Sequence, residues 1–233
     1  MKLIKVDALH PNKMKIKQAA DAIKAGGLVA FPTETVYGLG ADALNTAAVT
    51  RVFEIKQRPF NQALIIAPSS IADIAKLVKK IPATAKKLID KFFPGPLTLV
   101  LIKSEMIPDI VTADKEKIAF RIPDHPVALA LLKAVKRPIT ATSANITGHP
   151  SPTNAQQAIK DFKMKRLKDY KIDCGTSNLI SYNQFLILDA GPTKFGLEST
   201  ILDLTDKPKI LRAGAIRKEA IEAVIGPVCL KEI

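Results

Sequence analysis

The sequence predicts a mixed α/β fold, and three observations predict it. Short apolar runs bounded by glycine or proline, at 28–31, 97–102 and 138–142, have the length and composition of buried strands. Stretches at 12–25, 46–56 and 125–136 read as helices from the spacing of their apolar residues. Strands and helices mix without strict alternation, so a mixed sheet is expected rather than a purely parallel one. No internal repeat, low-complexity tract or linker divides the 233 residues, and one domain over residues 1–233 is expected.

In the first helix Ile16, Ala19, Ala20 and Ile23 form the apolar stripe, and Gly26-Gly27 stops it. The strand at 28–31 ends at Pro32, which has no N–H for a ladder. A loop follows, then the helix at 46–56 and a strand at 63–67. Ser69 and Ser70 suit the cap of a helix running to about residue 80. Pro82 opens the next helix, to about residue 92, from the first-turn position that proline favours. Phe93-Pro-Gly-Pro96 is a turn before the strand at 97–102, which carries a threonine. Residues 118–122 read as a short strand carrying Arg121, and the strand at 138–142 runs straight into Ser143-Ala-Asn145. Thr153-Asn154 caps a helix to about residue 162. Residues 163–181 are polar and lysine-rich and yield no element. Strands at 184–189, 199–204 and 209–211 and a helix over about 217–225 complete the chain.

Apolar content is 47% and charged content 24%, ordinary for a globular chain, while aromatic content is 5% with no tryptophan, so the core is mostly aliphatic. No apolar run is long enough to cross a bilayer, and the N-terminus lacks the apolar core of a signal peptide. Cys174 and Cys229 form neither a metal spacing nor a disulfide framework. These features point to a cytoplasmic protein with no membrane partner. The net charge of +13 argues for an anionic partner, against a background of solvated lysine faces.

The chemistry concentrates at Phe31-Pro-Thr-Glu-Thr-Val-Tyr-Gly-Leu-Gly40 and at Lys56-Gln-Arg-Pro59. Hydroxyls, glycines and backbone amides at a strand end suit a small polar ligand, and paired cations suit carboxylate and phosphate. Gly38-Leu-Gly-Ala-Asp-Ala43 matches the loose dinucleotide pattern, but six residues separate it from the strand and no acidic residue follows at the ribose position. There is no phosphate-binding G-x-x-x-x-G-K-[ST] loop, no H-E-x-x-H and no G-x-S-x-G. His10, His125 and His149 are scattered, which does not indicate a histidine-centred acid–base mechanism. Hydroxyls or amides recur beside cations: Thr33 and Thr35, Lys56 and Arg58, Arg121, Ser143 and Asn145, Ser151, Glu198-Ser-Thr200, and Arg212. That set binds and aligns anions with little proton-transfer equipment, as phosphoryl or nucleotidyl transfer requires.

In this order, Phe31-Pro-Thr-Glu-Thr-Val-Tyr-Gly-Leu-Gly-Ala-Asp-Ala43, Lys56-x-Arg58-Pro59, Phe93-Pro-Gly-Pro-Leu-Thr98, Arg121-Ile-Pro123, Ser143-Ala-Asn145 with Ser151-Pro-Thr153, and Glu198-Ser-Thr200 resemble the YrdC-type threonylcarbamoyl-adenylate synthase family. The resemblance covers about residues 10–215. It implies a twisted mixed α/β domain with a deep basic cavity. It also implies synthesis of threonylcarbamoyl-AMP and pyrophosphate from L-threonine, bicarbonate or carbon dioxide, and ATP, with Mg2+ accompanying the ATP. The product serves threonylcarbamoyladenosine modification of tRNA beside the anticodon, by way of tRNA itself or a downstream transferase complex.

By matching motif, Thr33, Arg121, Ala141 and Ser199 are expected to hold threonine. Lys56, Arg58, Ser143, Asn145, Ser151 and Arg212 are expected to hold ATP, with Lys56 and Arg58 the catalytic cations. No metal ligand is assigned; Glu34 is a conceivable one that equally suits fixing its loop. The chain departs from the family pattern at Gln62-Ala63, at Ala67-Pro68 where a histidine is frequent, and at Ala213. The extra C-terminal domain of the family's long form is not expected. Two other readings compete: a non-catalytic RNA-binding or ribosome-maturation module with a basic concave face, and a carbamoyl-transfer domain like that of hydrogenase maturation proteins.

Overall fold

The computed structural model describes residues 1–166 and 185–230. Two mixed sheets share one continuous hydrophobic core that includes Phe31, Leu39, Phe53, Phe120, Leu131 and Ile187. The smaller sheet has the order β1-β9-β2-β3-β8. Its strands are β1 (Lys2–Lys5), β2 (Leu28–Phe31), β3 (Gly38–Gly40), β8 (Thr142–Ser143) and β9 (Phe185–Asp189). The larger sheet has the order β12-β11-β10-β5-β6-β4-β7. It comprises β4 (Ile65–Ala67), β5 (Leu97–Ile102), β6 (Lys117–Phe120), β7 (Ile139–Thr140), β10 (Thr200–Asp203), β11 (Lys209–Arg212) and β12 (Cys229–Leu230). Both sheets mix parallel pairs, such as β2 with β9 and β5 with β10, with antiparallel ones, such as β2 with β3 and β5 with β6.

The expected helices form where caps and apolar spacing agree. In α1 (Lys13–Lys24) the Asn12 side chain accepts from Met14 N and Lys15 N, and Ile16, Ala19, Ala20 and Ile23 are buried. Asn45 caps α2 (Thr46–Lys56), which ends on Gln57 in the left-handed region. His125 caps α6 (Pro126–Val135) through its ring. The chain also forms α4 (Ala83–Phe92), with Pro82 as its N-cap rather than its first helical residue, α7 (Ala155–Arg166) and α8 (Lys218–Ile225). No helix among the described residues is long and apolar enough to cross a membrane.

Several expectations are corrected. The predicted strand at 138–142 is two strands in different sheets: β7 pairs with β4, and β8 pairs with β3. Ala141 lies between them and donates its N–H to Ile65 O at 2.7 Å. The predicted helix at 69–80 contracts to the single turn α3 (Ile74–Leu77); Ser70 Oγ accepts from Asp73 N at 3.2 Å, and the Ser69 and Ser70 hydroxyls donate to the Asp73 carboxylate. The loop after Pro32 ends in β3, whose glycines let it lie against Phe31: a Cβ on Gly38 or Gly40 would sit 3.0 or 3.1 Å from that ring. Strand β1 and the short helix α5 (Asp109–Thr112) were not expected. Gln184, Tyr170, Cys174 and most of the lysine-rich stretch at 163–181 lie outside the described residues.

Candidate active site

A cavity of about 490 Å³ lies against the larger sheet, at Val100, Ala119, Ile201 and Leu211, and is bounded by the loop after β2 and by β8 of the smaller sheet. Its cations are Arg58, Lys115, Lys117, Arg121 and Arg212, set against the carboxylates of Glu198 and Asp203. Thr33, Ala141, Ser143 and Ser199 line the same space. Seven of the ten residues singled out in the sequence therefore meet in one cavity: Thr33, Arg58, Arg121, Ala141, Ser143, Ser199 and Arg212. Lys56 and Asn145 are buried behind that lining, and Ser151 borders it through its bond to the lining residue Glu198.

Arg121 follows β6 directly and is held from two sides. Its Nη1 donates to Thr35 Oγ1 at 2.9 Å and its Nη2 to Glu34 Oε2 at 2.7 Å. Thr33 gives its one proton to Val36 O at 2.6 Å, so Thr35 is the donor in the 2.9 Å contact between the two hydroxyls. A directed chain thus runs from Arg121 through Thr35 and Thr33 to the backbone of the loop after β2. Burial pulls the Arg121 guanidinium down from its ordinary value, and the charge of Glu34 opposes that shift. Arg121 Nε and Glu34 Oε1 are buried without hydrogen-bond partners.

Lys56 is almost completely buried at the end of α2. Its ammonium donates to Ser143 O, to Asn145 O at 2.7 Å and to Asn145 Oδ1 at 3.3 Å. Three protons meet three acceptors, so Lys56 fixes the Ser143-Ala-Asn145 turn from within and does not line the cavity. Burial, then the Arg58 charge, lower its pKa to about 7, while Glu198 and Asp161 act the other way. Asn145 completes the turn by donating Nδ2 to His149 O at 2.6 Å. Arg58 does face the cavity. Its Nε and Nη2 donate to the backbone oxygens of Gln62 and Ala63 at 3.0 and 2.8 Å, so those two departures from the family pattern engage it through main chain alone.

Arg212, at the end of β11, donates Nε and Nη2 to Ser199 O at 3.2 and 3.0 Å and Nη1 to Glu198. Ser199 Oγ lies 2.8 Å from Thr98 Oγ1, inside β5. Ser151 donates to Glu198 Oε1 at 2.6 Å. Tyr37 also lines the cavity. Its hydroxyl donates to Gly191 O at 2.7 Å, and burial raises its pKa to about 12, so the phenol stays protonated. Tyr37, Thr98, Glu198 and the two lysines at 115 and 117 were not assigned from sequence. Thr98 carried a usable signal, a hydroxyl in the middle of an apolar strand.

Among the described residues no group of three or more His, Cys, Asp or Glu side chains is placed to hold a metal ion. Glu34 spends Oε2 on Arg121 and on Asp124 N at 3.1 Å, which is the loop-fixing alternative rather than a ligand set.

Fixed guanidinium groups, hydroxyls and main-chain turns between two mixed sheets define an α/β protein with a cation-rich cavity. Comparison with known proteins narrows that class. The Sua5/YciO/YrdC family model, described as "Telomere recombination", matches residues 21–214, and the chain belongs to that family. It is 47% identical over 215 residues to the threonylcarbamoyl-AMP synthase of Pyrococcus abyssi and 45% identical over 224 residues to that of Bacillus subtilis. Those alignments cover 92% and 95% of this chain but 58% and 60% of the relatives, so the chain spans about three fifths of their length. The crystal structure of P. abyssi Sua5 complexed with L-threonine superposes with a TM-score of 0.88 at 43% identity, covering 99% of this chain and 62% of that one.

Proposed function

We propose that this chain is a threonylcarbamoyl-AMP synthase: a nucleotidyltransferase that joins L-threonine, bicarbonate or carbon dioxide, and ATP into L-threonylcarbamoyladenylate and pyrophosphate. The observation that carries the reading is the convergence of Thr33, Arg121, Ala141 and Ser199 with Arg58, Ser143 and Arg212 on one cavity. The names of the two relatives and the threonine complex of P. abyssi Sua5 support it.

In this reading Arg121, set by Glu34 and Thr35, receives the threonine carboxylate, and Ser199 and Ala141 complete the amino-acid wall. The threonine nitrogen attacks carbon dioxide, forms the N–C bond and releases its protons to solvent. An oxygen of the new carboxylate attacks the ATP α-phosphorus as the bond to the pyrophosphate oxygen breaks. Negative charge collects on the phosphates, and Arg58 and Arg212 neutralise it. Ser143 and Ser151 take the remaining nucleotide contacts, and Lys56 and Asn145, expected from sequence to touch ATP, serve instead by holding the turn that presents Ser143. Magnesium enters with the nucleotide as MgATP, held chiefly by phosphate and water. The reaction is placed in the cytoplasm, and its product passes to threonylcarbamoyladenosine formation on tRNA beside the anticodon.

The net charge of +13 favours a second reading, a non-catalytic RNA-binding module. Incubation with ATP, threonine and 13C-bicarbonate, followed by mass spectrometry, separates the two. The synthase yields labelled threonylcarbamoyl-AMP; an RNA module yields none and binds RNA with a steep salt dependence.

A further inference from the structure

Of the two carboxylates that line the cavity, Glu198 and Asp203, the first sits among the groups proposed to hold the nucleotide. Glu198 lies just before β10, and its two carboxylate oxygens are divided between two walls. Oε1 accepts from Ser151 Oγ at 2.6 Å, and Oε2 accepts from Arg212 Nη1. Ser151 belongs to the connection between β8 and α7, whereas Arg212 ends β11. The charge of Glu198 also reaches Lys56 and Arg58, whose protonated forms it favours. A single carboxylate thus stands where the proposed nucleotide groups converge.

We propose that Glu198 is a built-in stand-in for the nucleotide polyphosphate. Its carboxylate occupies Ser151 and Arg212 in the free protein, and an incoming triphosphate displaces it. The inference rests on the nucleotide reading above and adds a competitor inside the site. Carboxylate and phosphate oxygens accept from the same guanidinium and hydroxyl donors, and like charges resist sharing them.

The surroundings allow the exchange. The backbone beneath Glu198 is pinned: its carbonyl accepts from Ala215 N at 3.0 Å, and a Cβ on Gly214 would lie 2.4 Å from that same oxygen. Displacement is therefore a side-chain rotation and leaves the strand in place. Arg212 stays anchored meanwhile, because Nε and Nη2 remain on Ser199 O while Nη1 changes partner. The Arg212 and Glu198 side chains are 35% and 31% exposed, so solvent weakens their pair and receives the released carboxylate. After turnover the returning carboxylate competes with pyrophosphate and speeds its departure.

Calorimetric titration with MgATP and with inorganic pyrophosphate tests this. Glu198→Gln keeps an acceptor for Ser151 and removes the charge. It should bind both ligands about 2- to 5-fold more tightly than wild type, the scale of one partly exposed ion pair. Pyrophosphate should dissociate more slowly from it, and threonine affinity should stay unchanged, which also reports an intact fold. Glu198→Ala, lacking both contacts, should shift in the same direction. Equal or weaker binding of MgATP and pyrophosphate by both variants, with threonine binding intact, overturns the stand-in alone. Failure of wild type and variants alike to bind either ligand overturns it together with the nucleotide reading.

Discussion

Lys56 shows how one residue serves a site without facing the ligand. All three ammonium protons are taken by Ser143 and Asn145, so its removal frees a turn rather than a cation. Arg58→Ala should lower turnover by about 100-fold or more, the range seen when one preorganised donor is lost, and Lys56→Ala should lower it by loosening the turn that presents Ser143. The melting temperature separates the causes: it should fall for Lys56→Ala and hold for Arg58→Ala. Near wild-type turnover in both variants would place the chemistry elsewhere. Lys56 also carries a pH signature. Its folded pKa of about 7 lies below the ordinary 10.5, so between those values the unfolded chain holds a proton that the folded chain has released. Stability contributed at this site rises with pH across that window and is lowest at and below about pH 7. Urea midpoints at pH 7 and pH 9 should show the rise in wild type and a flatter profile in Lys56→Met. An equal rise in the variant would assign it to other groups. Arg121→Lys keeps the charge but loses the fork that reaches Thr35 and Glu34 together, so it should weaken threonine binding and leave ATP affinity nearly unchanged. A parallel loss of both affinities by titration would contradict its placement on the amino-acid side.

At the level of elements, the segment after β11 depends on a close approach that only glycine allows. A Cβ on Gly214 would fall 2.4–2.5 Å from Glu198 O, Ser199 C and Thr200 N, backbone atoms that have little room to yield. Gly214→Ala should cost about 1–3 kcal/mol or more by overpacking, read as a lower urea midpoint with an unchanged slope. A neutral result would mean that the 198–200 and 212–215 segments lie farther apart. The elements that sequence reveals are those whose signals are local. Asn12 and Asn45 announce their helices because a cap and an apolar stripe lie within one stretch of chain. Strand β3 reads as loop in the sequence because its glycines, which the Phe31 ring requires, resemble turn residues. The 138–142 run was read as one strand because hydrophobicity reports burial and not which sheet supplies the partner. The candidate site divides in the same way. Thr33, Arg121, Ser143 and Ser199 sit in recognisable motifs. Tyr37 and Glu198 sit in the same motifs, but their partners Gly191 and Ser151 are brought to them by folding from 154 and 47 residues away.

At the scale of the whole molecule, two sheets border one cavity, and the proposed function requires an amino-acid wall and an anion wall in it to act together. A site that hydrogen-bonds the threonine hydroxyl should reject valine strongly, since buried polar groups would lose their partner. Serine, short of one methyl, should lose only about 1–3 kcal/mol. The most direct measurement is steady-state pyrophosphate release from MgATP, with threonine, serine or valine, in the presence and absence of bicarbonate. The account predicts release that needs both an amino acid and bicarbonate, fastest with threonine, slower with serine and near background with valine. Release that proceeds without threonine or bicarbonate, or at the same rate with valine, would contradict it.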